Sequence, residues 1–144
     1  MAEKVDVRTL LPLVSSYWRF ESLERTEEAS VAGALEQLLS DSNLGAAWLA
    51  EQDGKALGYL IAVYVFSLEH LGLTAEIDEF FVMPDARRSG AGSELLAAAE
   101  AEFKRRGCSN ASLQLSKDNH AARDFYRRHG YSERSKYELL EKTL

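Results

Sequence analysis

The segment Arg87-Arg88-Ser89-Gly90-Ala91-Gly92 lies between a strand-like run that ends at Pro84-Asp85 and a run of good helix formers. A helix beginning there presents unsatisfied N–H groups and a partial positive charge, which together hold a polyanion. Gly90 and Gly92 lack a Cβ that would keep a phosphate away from those amides, while Arg87 and Arg88 add charge-assisted contacts. The dinucleotide fingerprint is excluded because it needs a third glycine where this chain has Leu95, and a P-loop because it needs Gly-Lys-Ser/Thr. Two glycines at a helix start also serve as plain turn chemistry, so the segment gains meaning only from its context.

Two further groups of residues bear on chemistry. On the strand-like stretch Ala75-Glu76-Ile77-Asp78-Glu79-Phe80-Phe81-Val82, alternation puts Glu76 and Asp78 on one face and Glu79 on the other, unless a bulge intervenes. Asn119, Ala122 and Tyr126 recur at helical spacing and share a face on which the small Ala122 leaves room for a ligand. By contrast, Cys108 follows Gly107 at a helix-to-strand turn with no histidine nearby and reads as structural. His70, His120 and His129 have no metal-ligand spacing, so no metal is expected.

The elements that must position these residues follow from periodicity. Val7, Leu10, Leu11, Val14 and Trp18 predict a helix over about 7–18, and Val31, Leu35, Leu38 and Leu39 a second that ends at Ser40-Asp41-Ser42-Asn43. Tyr17-Trp18-Arg19-Phe20-Glu21 is expected as an aromatic connection after the first helix, with Tyr17 and Trp18 available to a substrate. Ala46 to Glu51 and Ala56 to Phe66 read as a hairpin around Asp53-Gly54, and Thr74 to Met83 as a third strand. Ser93 to Arg106 is a helix stopped by Gly107, Ala111 to Ser116 a strand, Asn119 to His129 a short helix stopped by Gly130, and Tyr131 to Lys142 can supply the last strands. The expected class is α+β, or mixed α/β, in one domain spanning residues 1–144.

Composition sets the outer bounds. The 144 residues, 46% hydrophobic, suffice for one core and not two. The longest apolar run, Ala56 to Phe66, is too short to cross a bilayer, and the charged start lacks a secretory signal, so a soluble, cytoplasmic protein is expected. One cysteine fits a reducing compartment. A net charge of −6 disfavours a nucleic-acid surface and favours cationic ligands.

Arg87-x-x-Gly90-x-Gly92 resembles the coenzyme A pyrophosphate loop of the Gcn5-related N-acetyltransferase (GNAT) superfamily, Gln/Arg-x-x-Gly-x-Gly/Ala. Asn119-His120-Ala121-Ala122-Arg123-Asp124-Phe125-Tyr126-Arg127-Arg128-His129-Gly130-Tyr131 is similar to that family's Asn-x-x-Ala-x-x-Phe-Tyr-x-x-x-Gly-Phe/Tyr segment. The resemblance runs from about Ala46 to Leu140; in the first 45 residues only the two helices match, and the family's usual first strand is short or missing. Arg88 stands where many members have glycine.

The resemblance implies a central, mostly antiparallel twisted sheet of about six to seven strands flanked by four helices. It implies acetyl-CoA as cosubstrate, held by Arg87, Arg88, Ser89, Gly90, Ala91, Gly92 and Ser93, by Phe81, Val82 and Met83, and by Asn119, Ala122, Phe125 and Tyr126. It makes Tyr126 the acid that protonates the departing thiolate, and Glu76 or Asp78 the base or cation anchor. A phenol near pKa 10 facing a thiolate near about 8.5 makes that transfer uphill by roughly 2 kcal/mol, small enough for fast turnover.

Tyr17, Trp18, Asp78 and Glu79 are the expected substrate wall. Asp78-Glu79-Phe80-Phe81-Val82-Met83 with Phe125-Tyr126 is most similar to diamine and polyamine acetyltransferases, so a small cationic amine is the expected acceptor. Protein lysine or N-terminal amines and aminoglycosides are alternatives, as is a non-catalytic acyl-CoA sensor. No membrane or nucleic-acid partner is expected, while a homodimer is permitted.

Overall fold

Local sequence accounts for each element of the computed structural model, which describes residues 1–23 and 27–143. After a short turn of 3-10 helix at Lys4–Asp6, α1 (Val7–Phe20) buries Val7, Leu10, Leu13 and Val14 along one stripe. It runs beyond the expected 7–18, so Tyr17, Trp18 and Phe20 belong to its last turn and not to a connection. Nothing between Tyr17 and Phe20 breaks a helix. The stop is Ser22, left-handed at φ 56°, with Leu23 N–H on Trp18 O and Ser22 N–H on Arg19 O closing a Schellman motif without glycine. α2 (Glu28–Ser40) buries Leu35.

β1 (Gly45–Gln52) and β2 (Lys55–Ser67) form the expected hairpin, with Asp53 and Gly54 both at positive φ in its two-residue turn. β3 (Gly72–Val82) pairs antiparallel with β2, and β4 (Ala111–Leu113) lies parallel to β3, giving the order β1-β2-β3-β4. α3 (Ala91–Arg105) follows a turn at Pro84–Ala86 and ends in a Schellman motif around Gly107 at φ 76°.

The helices cover both faces of this sheet. Ala47, Tyr59, Ile61 and Phe81 pack with Val7, Leu10, Val14 and Leu35, so α1 and α2 share one face. On the other, the Phe103 ring of α3 meets Trp48 and Tyr64 edge-on at 5.8 and 6.3 Å. These elements belong to one compact unit, Met1–Leu113.

The second unit, Gln114–Leu144, contains α4 (His120–Arg128). The Asn119 side chain caps it by accepting the Ala122 N–H at 3.1 Å, and Gly130 at φ 88° ends it. The strands expected from Tyr131 to Lys142 are absent among the described residues, so the sheet has four strands and not six to seven. Within that stretch, Glu133 binds Arg123 and Arg127, and Arg134 lies over the Tyr137 ring. At the other end, the residues before α1 contribute a single hydrogen bond to β1, Ala2 N–H to Ala47 O, in place of a first strand.

Candidate functional site

A β-bulge settles where the acidic residues of β3 point. Val63 pairs with Glu76 and Ala62 with Ile77, but Ile61 pairs with Glu79, leaving Asp78 as the extra residue. Because Ile61 and Val63 share a face, so do Glu76 and Glu79, with Asp78 bulged between them. This corrects the simple alternation, which put Glu76 with Asp78 and turned Glu79 away.

Glu79 faces α1. Its Oε1 accepts the indole N–H of Trp18 at 2.5 Å and its Oε2 the hydroxyl of Tyr59 at 2.6 Å. Burial raises the Glu79 carboxyl above its usual range, both donors pull it back, and Asp78 pushes it up again. Asp78 is raised too, first by desolvation and then by Glu76. Tyr17 is pushed up to about 12 by burial and by Glu21, Glu79 and Asp78. The wall therefore gathers carboxylates in a partly desolvated setting beside aromatic rings, an environment that a cation relieves.

Next to it, between α1 and α2, is a groove of about 320 Å³ lined by Leu11, Val14, Ser15, Trp18 and Val31. Trp18 thus stands between the groove and Glu79. A larger groove of about 510 Å³, between β1 and α3, takes in Ser89 and Ala91 but none of the acidic residues of β3.

The bulge also ends the pairing of β3 with β4, since the last paired residues are Ile77 and Leu113. Beyond them the outer edge of β3 meets no strand among the described residues. Met83 N–H is bonded to Leu57 O, so the antiparallel alternation turns the N–H and C=O of Val82 to that open edge. The Val82 carbonyl accepts Nε of Arg87 at 3.1 Å, and the Met83 carbonyl accepts the Ala86 N–H. Of Phe81, Val82 and Met83, then, Val82 offers its N–H outward, its carbonyl being taken by Arg87. The Phe81 ring packs on Tyr17 and Phe20, and the Arg87 guanidinium lies 5.0 Å from the Phe20 ring centre and 5.7 Å from that of Phe81.

At the glycine segment, Gly90 at φ 100° caps α3, with open space where a Cβ would stand. Ser89 Oγ donates to Ala86 O and meets the Ala91 N–H at 3.4 Å. Among the described residues no backbone acceptor takes the N–H of Gly92 or Ser93, so first-turn donors with two adjacent arginines remain for an anion. These residues fit a pyrophosphate. Arg88 sits at φ 66°, a left-handed position that explains why glycine is at ease there.

In the second unit, Ala122, Phe125 and Tyr126 lie on α4; Tyr126 is buried, and its ring meets Phe125 and Tyr131 at 5.4 Å each. The Oδ1 of Asn119 is engaged in the helix cap.

Sequence reasoning missed Tyr59. A tyrosine inside the apolar run Ala56 to Phe66 carries a signal, because a buried hydroxyl requires a partner.

The profile of the Acetyltransferase (GNAT) family matches residues 9–131. The chain is 27% identical to the N-acetyltransferase YhfO of Bacillus subtilis, over 92% of this chain and 87% of that one. It is 34% identical to the aminoalkylphosphonate N-acetyltransferase of Salmonella typhimurium, over 59% of this chain and 55% of that one. The crystal structure of an integron cassette protein from the mobile metagenome of Cole Harbour Salt Marsh superposes with a TM-score of 0.87 at 26% identity, covering 99% of this chain and 88% of that one.

Proposed function

The chain belongs to the Acetyltransferase (GNAT) family and is an acetyl-CoA-dependent acetyltransferase, and from that premise we propose that its acceptor is the primary amine of a small cationic molecule, with a polyamine as the first candidate. The observation that carries this reading is the wall of Glu76, Asp78 and Glu79 around the bulge. Asp78 and Glu79 are both raised by burial, so an ammonium entering there is favoured by the charge it relieves.

Acetyl-CoA supplies the activated acetyl group. The amides at the start of α3, with Arg88, hold its pyrophosphate, and Arg87 joins them only by leaving the Val82 carbonyl and the Phe20 and Phe81 rings. The Val82 N–H, on the open edge of β3, is placed to bond a carbonyl oxygen as negative charge develops on it. An alkylammonium near pKa 10 must lose a proton before it attacks, and Asp78 or Glu76 takes it, directly or through water. Tyr126 donates the phenolic proton that the leaving thiolate needs. This reading joins residues 1–144 in one catalytic domain.

A second acceptor class has one observation behind it. Arg87, stacked on Phe20 and Phe81, brings a cation onto the same wall, which suits an amine that also carries an acidic group. The Salmonella relative is named for aminoalkylphosphonates, amines of that kind.

Thiol release from acetyl-CoA across diamines, polyamines, aminoalkylphosphonates, aminoglycosides and peptides tests the proposal. Saturable release with small amines supports it. Release with peptides alone removes the small-amine reading, and tight acetyl-CoA binding without release for any acceptor favours the sensor.

A further inference from the structure

We infer that Tyr59 is a positioning residue for the acceptor: its hydroxyl fixes the carboxylate of Glu79 in the orientation that receives the substrate's ammonium. This rests on the proposed role of Glu79 in binding the amine. The hydroxyl donates to Oε2 at 2.6 Å while Trp18 occupies Oε1 at 2.5 Å, so the carboxylate is gripped from two elements, β2 and α1. A carboxylate has about four lone-pair sites. Two are engaged here, one on each oxygen, so each oxygen keeps a further acceptor position for the N–H that the proposal requires.

The geometry begins in the sequence. Tyr59 pairs across the ladder with Phe81, which makes Glu79 its diagonal neighbour, within reach of an aromatic side chain. Gly58 beside it permits the tight approach of β2 to β3, because a Cβ there would lie 2.5 Å from Phe81 O and 3.0 Å from the Val82 Cα. This stretch of register lies on the near side of the bulge at Asp78, whose extra residue brings Glu76 onto the same face as Glu79. Tyr59 itself is fully buried, and its phenol is driven upward by burial and by Glu79, so it remains a proton donor across the physiological range.

Other titrating groups surround this pair. Tyr17 comes from α1, with Glu21 beside it; Asp78 is adjacent on β3, with Glu76 next to it; and Arg87 lies over Phe81. Each is retained in Tyr59→Phe, which also retains the ring and its packing. A shift seen in that variant therefore belongs to the lost hydroxyl.

The test has two readouts. In a side-chain carboxyl NMR titration, with the Glu79 resonance assigned through Glu79→Gln, Tyr59→Phe moves the Glu79 midpoint up by about one pH unit. In steady-state kinetics with the best amine found, the acid limb of kcat/KM moves up by a similar amount, acceptor KM rises about tenfold, and acetyl-CoA KM stays unchanged. In a Glu79→Gln background the same substitution produces no further shift of the limb. An unmoved Glu79 midpoint overturns the inference, as does a uniform loss of activity at every pH with the limb in place. If the wild type turns over no amine, the acceptor reading fails on its own, while the titration still reports whether Tyr59 holds Glu79.

Discussion

Trp18, in the last turn of α1, donates its indole N–H to Oε1 of Glu79 on β3, joining residues 61 positions apart. This bond lowers the Glu79 pKa against the burial that raises it, so it stabilises the fold only where Glu79 is ionised. Trp18→Phe leaves most of the aromatic surface and removes the donor. Urea unfolding at neutral pH is expected to show a loss of about 1–3 kcal/mol, shrinking as pH falls and Glu79, whose carboxyl is raised by burial, takes up its proton.

Asp78 carries a net shift of the same sign as Glu79. Its carboxyl is raised in the folded state, by burial first and then by Glu76. A raised acid contributes stability that is complete below its unfolded pKa and is lost as pH rises through its folded pKa. Asp78→Asn abolishes this titration. The variant is expected to melt higher than the wild type near pH 7.5 and no higher near about pH 3.5, with kcat/KM for the amine down at least about tenfold. Thermal melts at the two pH values check the sign.

How far these relationships were legible depends on the kind of signal each carries. Asp53-Gly54, Gly107 and Gly130 announce backbone states that few other residues adopt, and each lies where expected, whereas Asn119, read as part of the helix face, caps α4 from outside it. The end of α1 is not announced in this way, because Ser22 takes the left-handed position that glycine would have marked. The bulge at Asp78 has no residue signature, being a property of two strands in register. Tyr131 to Lys142 is the segment expected to supply the last strands, but Glu133 binds back to Arg123 and Arg127, and no ladder forms among the described residues.

Arg88 allows a separate test of the glycine segment. At φ 66° an arginine is strained by roughly 1 kcal/mol, while glycine there would lose about as much through greater freedom when unfolded. Arg88→Gly is expected to leave unfolding free energy within about 1 kcal/mol of the wild type. Acetyl-CoA affinity falls severalfold at low salt, with the difference shrinking as ionic strength rises. Calorimetric titration at several salt concentrations measures it.

Gly58 tests the backbone that carries Tyr59. A Cβ there meets Phe81 O at 2.5 Å, and backbone on both sides cannot yield by a rotamer change. Gly58→Ala is expected to cost about 1–3 kcal/mol or more in urea unfolding and to weaken amine binding with it. Gly33, with nothing within 4 Å of its added Cβ, is the control, and Gly33→Ala in α2 is expected to hold or raise stability.

The measurement that bears most directly on the proposed acceptor site is the steady-state comparison of Glu79→Gln with the wild type, varying a small cationic amine and acetyl-CoA in turn. Gln keeps one carbonyl oxygen to accept the Trp18 N–H, turns an NH2 donor toward the Tyr59 hydroxyl, and removes the charge. The account predicts an amine kcat/KM reduced at least about tenfold with acetyl-CoA KM unchanged. An unchanged amine kcat/KM, or a loss confined to acetyl-CoA, would contradict it.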